Sequence, residues 1–136
     1  MNKMEVSFPG GVGVDATFRG QSVHTDQPQP LGEGTAMSPF DLFLASLATC
    51  AGFYALRFCQ ERHIATEGLG VSLLPLRNPE TKRLDTIQID LRLPEGFPEK
   101  YRDVILRAVD QCAVKKAIVD PPAFDVKIVS DIPSMA

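Results

Sequence analysis

The longest apolar run in the chain, from Ser38 to His63, predicts the central element of the fold. Ser38 suits a helix N-cap because its hydroxyl can accept a backbone N–H, and Pro39 suits the first helical position. From Phe40 to Phe58 nearly every residue is apolar or small. A helix that is apolar on all sides is expected to be buried on all sides. We therefore predict a long, buried central helix that begins at Pro39.

A membrane span is the alternative interpretation of this run, since about twenty apolar residues suffice to cross a bilayer. Asp41 and Arg57 lie within it and no basic flank precedes it, which favours a soluble helix. At 1.5 Å per residue the helix would be about 37 Å long. A compact globule of 136 residues has a radius of gyration of only about 14 Å. We therefore expect a second copy of the chain to cover the helix in a two-fold homodimer.

Short strands are predicted before the helix. Glu5–Phe8 and Val12–Arg19 flank the turn Pro-Gly-Gly and predict a hairpin, which Gln21–Thr25 extends into a sheet. The segment DQPQPLGEGTAM, residues 26–37, is rich in proline and glycine and predicts a loop that leads to the helix.

The second half of the chain predicts another hairpin and a second long helix. Leu69–Leu76 and Leu84–Leu93 form the hairpin, and the latter alternates apolar and polar residues as a half-buried strand does. Pro98 opens the helix, whose single apolar stripe ends at Cys112. The stripe consists of Tyr101, Val104, Ile105, Ala108, Val109 and Cys112.

A short helix over Val114–Val119 and a last strand over Phe124–Val129 complete the chain. The order is hairpin, long helix, hairpin, helix and strand. It predicts an α+β fold in which an antiparallel sheet packs on two main helices, within a single domain that spans 1–136.

Composition and charge narrow the classes of function. A formal net charge of −3 and a pI near 5.3 argue against nucleic-acid binding, which requires a basic face. The N-terminal residues MNKMEVSF lack the apolar core of a signal peptide, so we expect a cytoplasmic protein. The chain carries none of the common nucleotide, zinc or hydrolase motifs, and we expect neither a metal nor a cofactor.

Cys50 and Cys112 are the candidate reactive residues. Cys50 lies in the middle of the predicted central helix, and Cys112 lies on the inward stripe of the second helix. Two helices that pack through apolar faces would bring the thiols together, and a thiol pair can cycle through a sulfenic acid and a disulfide. Buried cysteines are also common as small core residues. The spacing alone leaves both interpretations open.

Three segments resemble the OsmC/Ohr family of osmotically inducible and organic hydroperoxide resistance proteins: HTDQPQPLGEG, SPFDLFLASLATC and the QCAVKK run around Cys112. The resemblance implies an intertwined homodimer in which sheets wrap two central helices. It also implies a stress-response peroxidase in which Cys50 attacks the O–O bond of an organic hydroperoxide and becomes a sulfenic acid. Cys112 would then condense with it to a disulfide, which an external dithiol would reduce.

The sequence departs from the peroxidase pattern at two places. Peroxidase members carry a glutamate directly after the helix-opening proline, where this chain has Phe40. They also carry an arginine in the preceding loop, whereas this chain has neither arginine nor lysine between positions 21 and 49. A buried thiol ionises readily only if another group stabilises the thiolate. The candidate supporting residues are Asp41, Arg19 and His24, with Arg57, Lys115 and Lys116 as further cations.

Three functions remain open from the sequence. The first is a dithiol peroxidase, with Phe40, Phe43 and Phe53 lining a pocket for the alkyl chain of the hydroperoxide. The second is a binding module whose cleft holds a small apolar molecule while the cysteines only fill the core. The third is a thiol sensor that forms a disulfide without turnover.

Overall fold

The computed structural model describes residues 3–130, and within this range the chain has an α+β fold with antiparallel sheets, as predicted. The N-terminal part consists of β1 (Glu5–Gly10), β2 (Gly13–Phe18), β3 (Gln21–Thr25) and the long helix α1 (Pro39–Glu61). The C-terminal part consists of β4 (Gly70–Arg77), β5 (Leu84–Arg92), a 3-10 turn (Glu99–Tyr101), α2 (Arg102–Val109) and α3 (Ala113–Val119).

Contacts within the chain group it into two compact units. The first reaches from the N-terminus to Phe43 and includes the stretch that begins at Ala123, and the second is Leu44–Pro122. The first unit holds a three-stranded sheet in the order β1, β2, β3, and the second holds the β4–β5 hairpin. Both sheets are antiparallel. The prediction of a single domain stays a prediction.

In the first unit, the loop that follows β3 is organised around one buried carboxylate. Asp26 is only 4% exposed and accepts hydrogen bonds from the backbone N–H groups of Gln27, Glu33 and Thr35. The Thr35 hydroxyl donates a further hydrogen bond to it at 2.7 Å. The hydrogen bonds from Thr35 come first among the causes that lower the pKa of Asp26 to about 2. The carboxylate therefore stays charged at neutral pH and holds an otherwise irregular loop in place.

The start of α1 is the one that the sequence predicted. The Ser38 hydroxyl accepts a hydrogen bond from the backbone N–H of Asp41 at 3.1 Å, as an N-cap does. The helix ends at Glu61, two residues before the predicted end. His63 has a φ of 56°, a left-handed conformation that does not occur within an α-helix. By length and composition alone, α1 is long and apolar enough to cross a membrane. The core helices of soluble proteins can also meet these two criteria.

The prediction that this central helix is buried on all sides is wrong for the single chain. The buried positions form one stripe, whereas Phe53 is 54% exposed and Leu56 is 37% exposed. The reason is that one chain supplies neighbours for only one side of the helix. The buried stripe consists of Leu47, Ala51, Ala55, Phe58 and Cys59.

The core of the second unit forms where α1 meets α2. Ile105 and Cys59 are fully buried and belong to one cluster with Ala55 and Phe58. On β5 the alternating apolar residues share one face, as predicted, and this face carries Ile87, Ile89 and Leu91.

The predicted position of Cys112 at the end of the second helix is wrong. α2 ends at Val109, a turn follows, and Cys112 is the N-cap of α3 with an extended backbone conformation (φ −50°, ψ 122°). No glycine or proline separates Val109 from Cys112, so the apolar period continues through the turn and conceals the helix end. Cys112 is nevertheless buried, at 3% exposure.

The predicted last strand over Phe124–Val129 is also not observed. In the described residues 123–130 the chain has no regular secondary structure, and Phe124, Val126 and Ile128 are almost fully exposed. An alternating apolar pattern yields a strand only where a neighbouring strand accepts and donates its backbone hydrogen bonds. This segment pairs with no strand of the described part of its own chain.

Candidate functional site

The second unit brings together the two thiols that the sequence singled out. Cys50 lies in the middle of α1 and Cys112 caps the N-terminus of α3, and their side chains are in hydrogen-bond contact. Both cysteines are free thiols. Cys50 is partly exposed, whereas Cys112 is buried. The pair therefore consists of one sulfur that solvent reaches and one that the protein covers.

The environment lowers the pKa of the Cys50 thiol. Burial by itself raises this pKa, but hydrogen bonds from the Cys112 thiol and from the backbone N–H groups of Val114 and Ala113 outweigh burial. Among the described residues of this unit, no cationic side chain contributes to the lowered pKa of Cys50. The first turn of α3 thus supplies the stabilisation that a positive charge supplies to other reactive thiols.

The same environment raises the pKa of the Cys112 thiol. Burial is the main cause, and the hydrogen bond with Cys50 adds to it because the proton between the sulfurs stays on Cys112. The backbone N–H of Lys115 also lies 3.4 Å from Cys112 Sγ and opposes the shift. Of the two thiols, Cys50 is therefore the one that loses its proton first as the pH rises, because its pKa is lowered while that of Cys112 is raised.

An apolar cavity of about 360 Å³ adjoins this pair on the side of Cys112. Its wall includes Cys112 but not Cys50. The wall also contains an ion pair between Lys115 Nζ and Asp110, in which each charge compensates the other. The apolar part of the wall is aliphatic and consists of Leu47, Ala51, Ile87, Ile89, Leu91, Leu106, Val109 and Ile118.

The three phenylalanines predicted to line a substrate pocket lie elsewhere. Phe40 and Phe43 stack edge to face, with ring centroids 5.4 Å apart, in the first unit. Phe53 pairs with Tyr54 at 5.6 Å and lines a separate groove between α1 and α2. None of the three lines the cavity beside Cys112, and their substrate-binding role stays a prediction.

The three candidate supporting residues all belong to the first unit. Asp41 is exposed in the first turn of α1. The guanidinium of Arg19 lies over the Phe18 ring at 4.8 Å. His24 Nδ1 is hydrogen-bonded to Asp15, and its Nε2 lies 3.3 Å from the Thr35 hydroxyl. A supporting role in thiol chemistry stays a prediction for each of them.

Two parts of the site were not predicted from the sequence: the N–H groups at the start of α3 and the aliphatic cavity. The N–H groups of Ala113 and Val114 escaped notice because α3 begins at a cysteine rather than at a serine, threonine, asparagine or aspartate, so no usual N-cap signal marks it. The cavity arises from four separate elements, and although the β5 alternation and the apolar stripe with Val109 and Cys112 each marked part of its wall, neither pattern showed that these parts meet. Among the described residues, no group of three or more His, Cys, Asp or Glu side chains is arranged to hold a metal ion.

The fold and the site define a small α+β protein with a pair of interacting thiols, one partly exposed and one buried. The family of OsmC-like proteins matches residues 32–127, which is most of the chain, and the protein therefore belongs to that family. No curated protein gives a significant match.

Several solved structures share this fold, and their superpositions cover most of the chain. A Psychrobacter arcticus protein, named for osmotic stress induction and a detoxification response, superposes with a TM-score of 0.72 at 22% identity, covering 86% of this chain and 88% of that one. An OsmC like protein from Mycoplasma pneumoniae gives 0.63 at 13% identity, with 89% of each chain covered. The organic hydroperoxide resistance protein OsmC of Legionella pneumophila gives 0.54 at 17% identity, with 87% and 88% covered. At these identities the similarity shows the fold.

Proposed function

We propose that this protein reduces organic hydroperoxides, with Cys50 as the attacking thiolate and Cys112 as the resolving thiol. The observation that carries the proposal is the contact between two thiols whose pKa values are shifted in opposite directions. Membership of the OsmC-like family supports a redox role, as does the fold shared with a Legionella protein named for organic hydroperoxide resistance. We further propose that the protein acts in the cytoplasm as a homodimer and that an external dithiol regenerates it.

The first step is a displacement on oxygen. The Cys50 thiolate attacks the terminal oxygen of the hydroperoxide and the O–O bond breaks. The alkoxide leaves and takes a proton from water to become the alcohol, while Cys50 becomes a sulfenic acid. Sulfur is oxidised and the peroxide is reduced by the same two electrons.

The second step forms the disulfide. Cys112 Sγ attacks the sulfur of the sulfenic acid, its proton leaves with the hydroxyl group as water, and an S–S bond forms. Because the two side chains already touch in the reduced protein, this step needs no long movement of either element. A dithiol then reduces the disulfide by two exchange steps and is itself oxidised to a disulfide.

Turnover is the test of this proposal. The reduced protein is supplied with cumene hydroperoxide and excess dithiothreitol, and consumption of the hydroperoxide is followed. We expect many turnovers for the wild type and none for Cys50→Ser. A single turnover per chain would instead identify a thiol sensor, and no turnover would contradict both redox functions.

The cavity favours one second candidate, a binding protein for a small apolar molecule. A volume of about 360 Å³ with aliphatic walls suits such a ligand. This function does not need the thiols, so an alkane-like ligand such as decanol would raise the melting temperature of a Cys50→Ser/Cys112→Ser variant. No stabilisation by such ligands would remove this candidate.

A further inference from the structure

The two cysteines of the pair border different surfaces of the second unit. Cys112 forms part of the wall of the aliphatic cavity, which is otherwise built from α1, β5, α2 and α3. Cys50 does not line this cavity, yet it is partly exposed. A molecule in the cavity therefore meets Cys112, and a molecule that meets Cys50 arrives by another surface.

We propose that the reducing thiol enters the aliphatic cavity and attacks Cys112 Sγ, so that Cys50 is the sulfur released, while the hydroperoxide reaches Cys50 from outside the cavity. This inference rests on the proposed function, because it concerns the disulfide that the peroxidase reaction forms. It assigns separate entrances to the oxidant and the reductant.

The disulfide is reduced in two exchange steps. A thiolate of the reductant attacks Cys112 Sγ, the bond between the two cysteines breaks, and Cys50 leaves with the electron pair as a thiolate. Cys112 is then held in a mixed disulfide with the reductant. A second thiol of the same reductant attacks the reductant's own sulfur in that mixed disulfide and releases Cys112, which takes up the proton of the attacking thiol.

The pKa values of the two cysteines favour attack on Cys112 with release of Cys50. Thiol–disulfide exchange is faster when the departing thiol has the lower pKa. Cys50 is the better leaving group because the Val114 and Ala113 N–H groups that lower its pKa remain in place to receive the thiolate. Attack on Cys50 would instead release Cys112, whose pKa is raised by burial.

The wall of the cavity also determines which thiols can be used to test this route. Eight aliphatic side chains surround the space, and the Lys115–Asp110 ion pair leaves no free charge to bind a charged thiol. A highly charged tripeptide thiol such as glutathione would lose its hydration there without gaining a partner. A neutral aliphatic thiol is therefore the probe that tests this route.

The sulfur that is attacked can be identified by trapping the mixed disulfide. The disulfide is prepared with diamide, so that the experiment does not depend on peroxidase activity, and is mixed with excess 6-mercaptohexan-1-ol, a monothiol that cannot complete the second step within one molecule. The reaction is quenched with acid, free thiols are blocked with N-ethylmaleimide, and the protein is digested with trypsin. Trypsin places Cys50, Cys59 and Cys112 on three separate peptides, since arginine or lysine residues lie between them.

We expect the mercaptohexanol adduct on the Cys112 peptide and the maleimide on the Cys50 peptide. The adduct on Cys50 would overturn the inference and leave the peroxidase proposal intact. Conversely, a protein that diamide oxidises but hydroperoxides do not would refute the peroxidase proposal, while the position of the adduct would still decide the route of the reductant.

Narrowing the cavity provides an independent test. Ile89→Trp places a larger side chain in the wall, and Leu74→Trp is the matched control because Leu74 lies on the same hairpin, is exposed and does not line the cavity. Ile89→Trp should slow reduction by 6-mercaptohexan-1-ol about tenfold, in the range that pocket contacts discriminate, and should change reduction by the small thiol 2-mercaptoethanol much less. Leu74→Trp should change neither rate. Equal effects of Ile89→Trp on both thiols would contradict entry of the reductant through the cavity.

Discussion

At the scale of single residues, the pKa values of the two thiols are shifted in opposite directions. The Cys112 thiol donates its hydrogen bond to Cys50 and so lowers the pKa of the attacking group, while its own pKa is raised. The same side chain that helps to ionise Cys50 is the one that would later form the disulfide. Activation and resolution are therefore properties of one contact, and they separate only in variants that keep the donor but remove the sulfur.

Cys112→Ser makes that separation, and Cys112→Ala is its comparison. Alanine removes the donor, and one hydrogen bond contributes about 1 kcal/mol net, so alkylation of Cys50 by iodoacetamide at pH 7 should slow roughly fivefold. Serine keeps an O–H donor and should retain most of the rate. Neither variant can form the disulfide. An alanine variant that alkylates as fast as the wild type would show that the Cys112 thiol does not activate Cys50.

Asp26 makes a prediction about acid stability. Its pKa in the folded chain is about 2, below the ordinary value of 3.8, mainly because Thr35 donates hydrogen bonds to it. Since the folded-state pKa is the lower one, the carboxylate contributes stability fully above about pH 4, and this contribution is lost as the pH falls towards 2. Asp26→Asn should therefore be less stable than wild type at pH 7, with a difference that shrinks on acidification.

Urea unfolding at pH 7, 4 and 3 measures this difference. Asp125→Asn is the control, because Asp125 is an exposed carboxylate of the same unit. A difference between Asp26→Asn and wild type that is the same at all three pH values would mean that the Asp26 charge is not what holds the loop.

At the scale of elements, the short helix α3 takes the place of a cationic side chain. Its first two N–H groups, from Ala113 and Val114, contribute to the lowered pKa of Cys50. Ala113→Pro removes one of them at the first helical position, where proline is well tolerated. The preceding residue, Cys112, already has the extended conformation that a following proline requires.

We expect Ala113→Pro to slow alkylation of Cys50 at pH 7 and to move its pH profile upward, with the far-UV circular dichroism unchanged. Ala113→Gly is the matched variant, since it retains the N–H and loses only helix propensity. If the two variants react alike, the N–H of Ala113 does not stabilise the thiolate.

The sequence predicted the elements that local signals define. The β5 alternation, the turn after β1 and the Ser38 cap depend on neighbouring residues, and each lies where the pattern placed it or within a few residues. The end of α2 at Val109 carries no breaker, and a strand over Phe124–Val129 requires a partner strand. The thiol contact and the cavity result from packing between distant segments, which periodicity does not encode.

At the scale of the whole molecule, apolar surface remains uncovered in the single chain. On α1, Phe53 and Leu56 face solvent, and so do Phe124, Val126 and Ile128 near the C-terminus. Exposed apolar residues that are neighbours on one element, as Phe53 and Leu56 are on α1, are typical of interaction surfaces. We expect a second copy of the chain to cover the exposed side of α1.

Phe53→Asp tests this expectation, because it places a charge on the exposed side of α1 without entering the buried stripe. Sedimentation at micromolar concentration should show a dimer for the wild type and a shift to monomer for the variant. Thr66→Asp, in the exposed turn after α1, should remain dimeric. A wild-type protein that stays monomeric at all concentrations would contradict the homodimer.

The most direct test of the central claim is the intact mass of the reduced protein after one equivalent of cumene hydroperoxide. The wild type should lose the mass of two hydrogen atoms within seconds, and faster than with hydrogen peroxide, as Cys50 and Cys112 join in a disulfide. Cys50→Ser should keep its mass, and Cys112→Ser should gain one oxygen. A wild-type mass that is unchanged after minutes would mean that Cys50 is not an activated thiolate and would contradict the account.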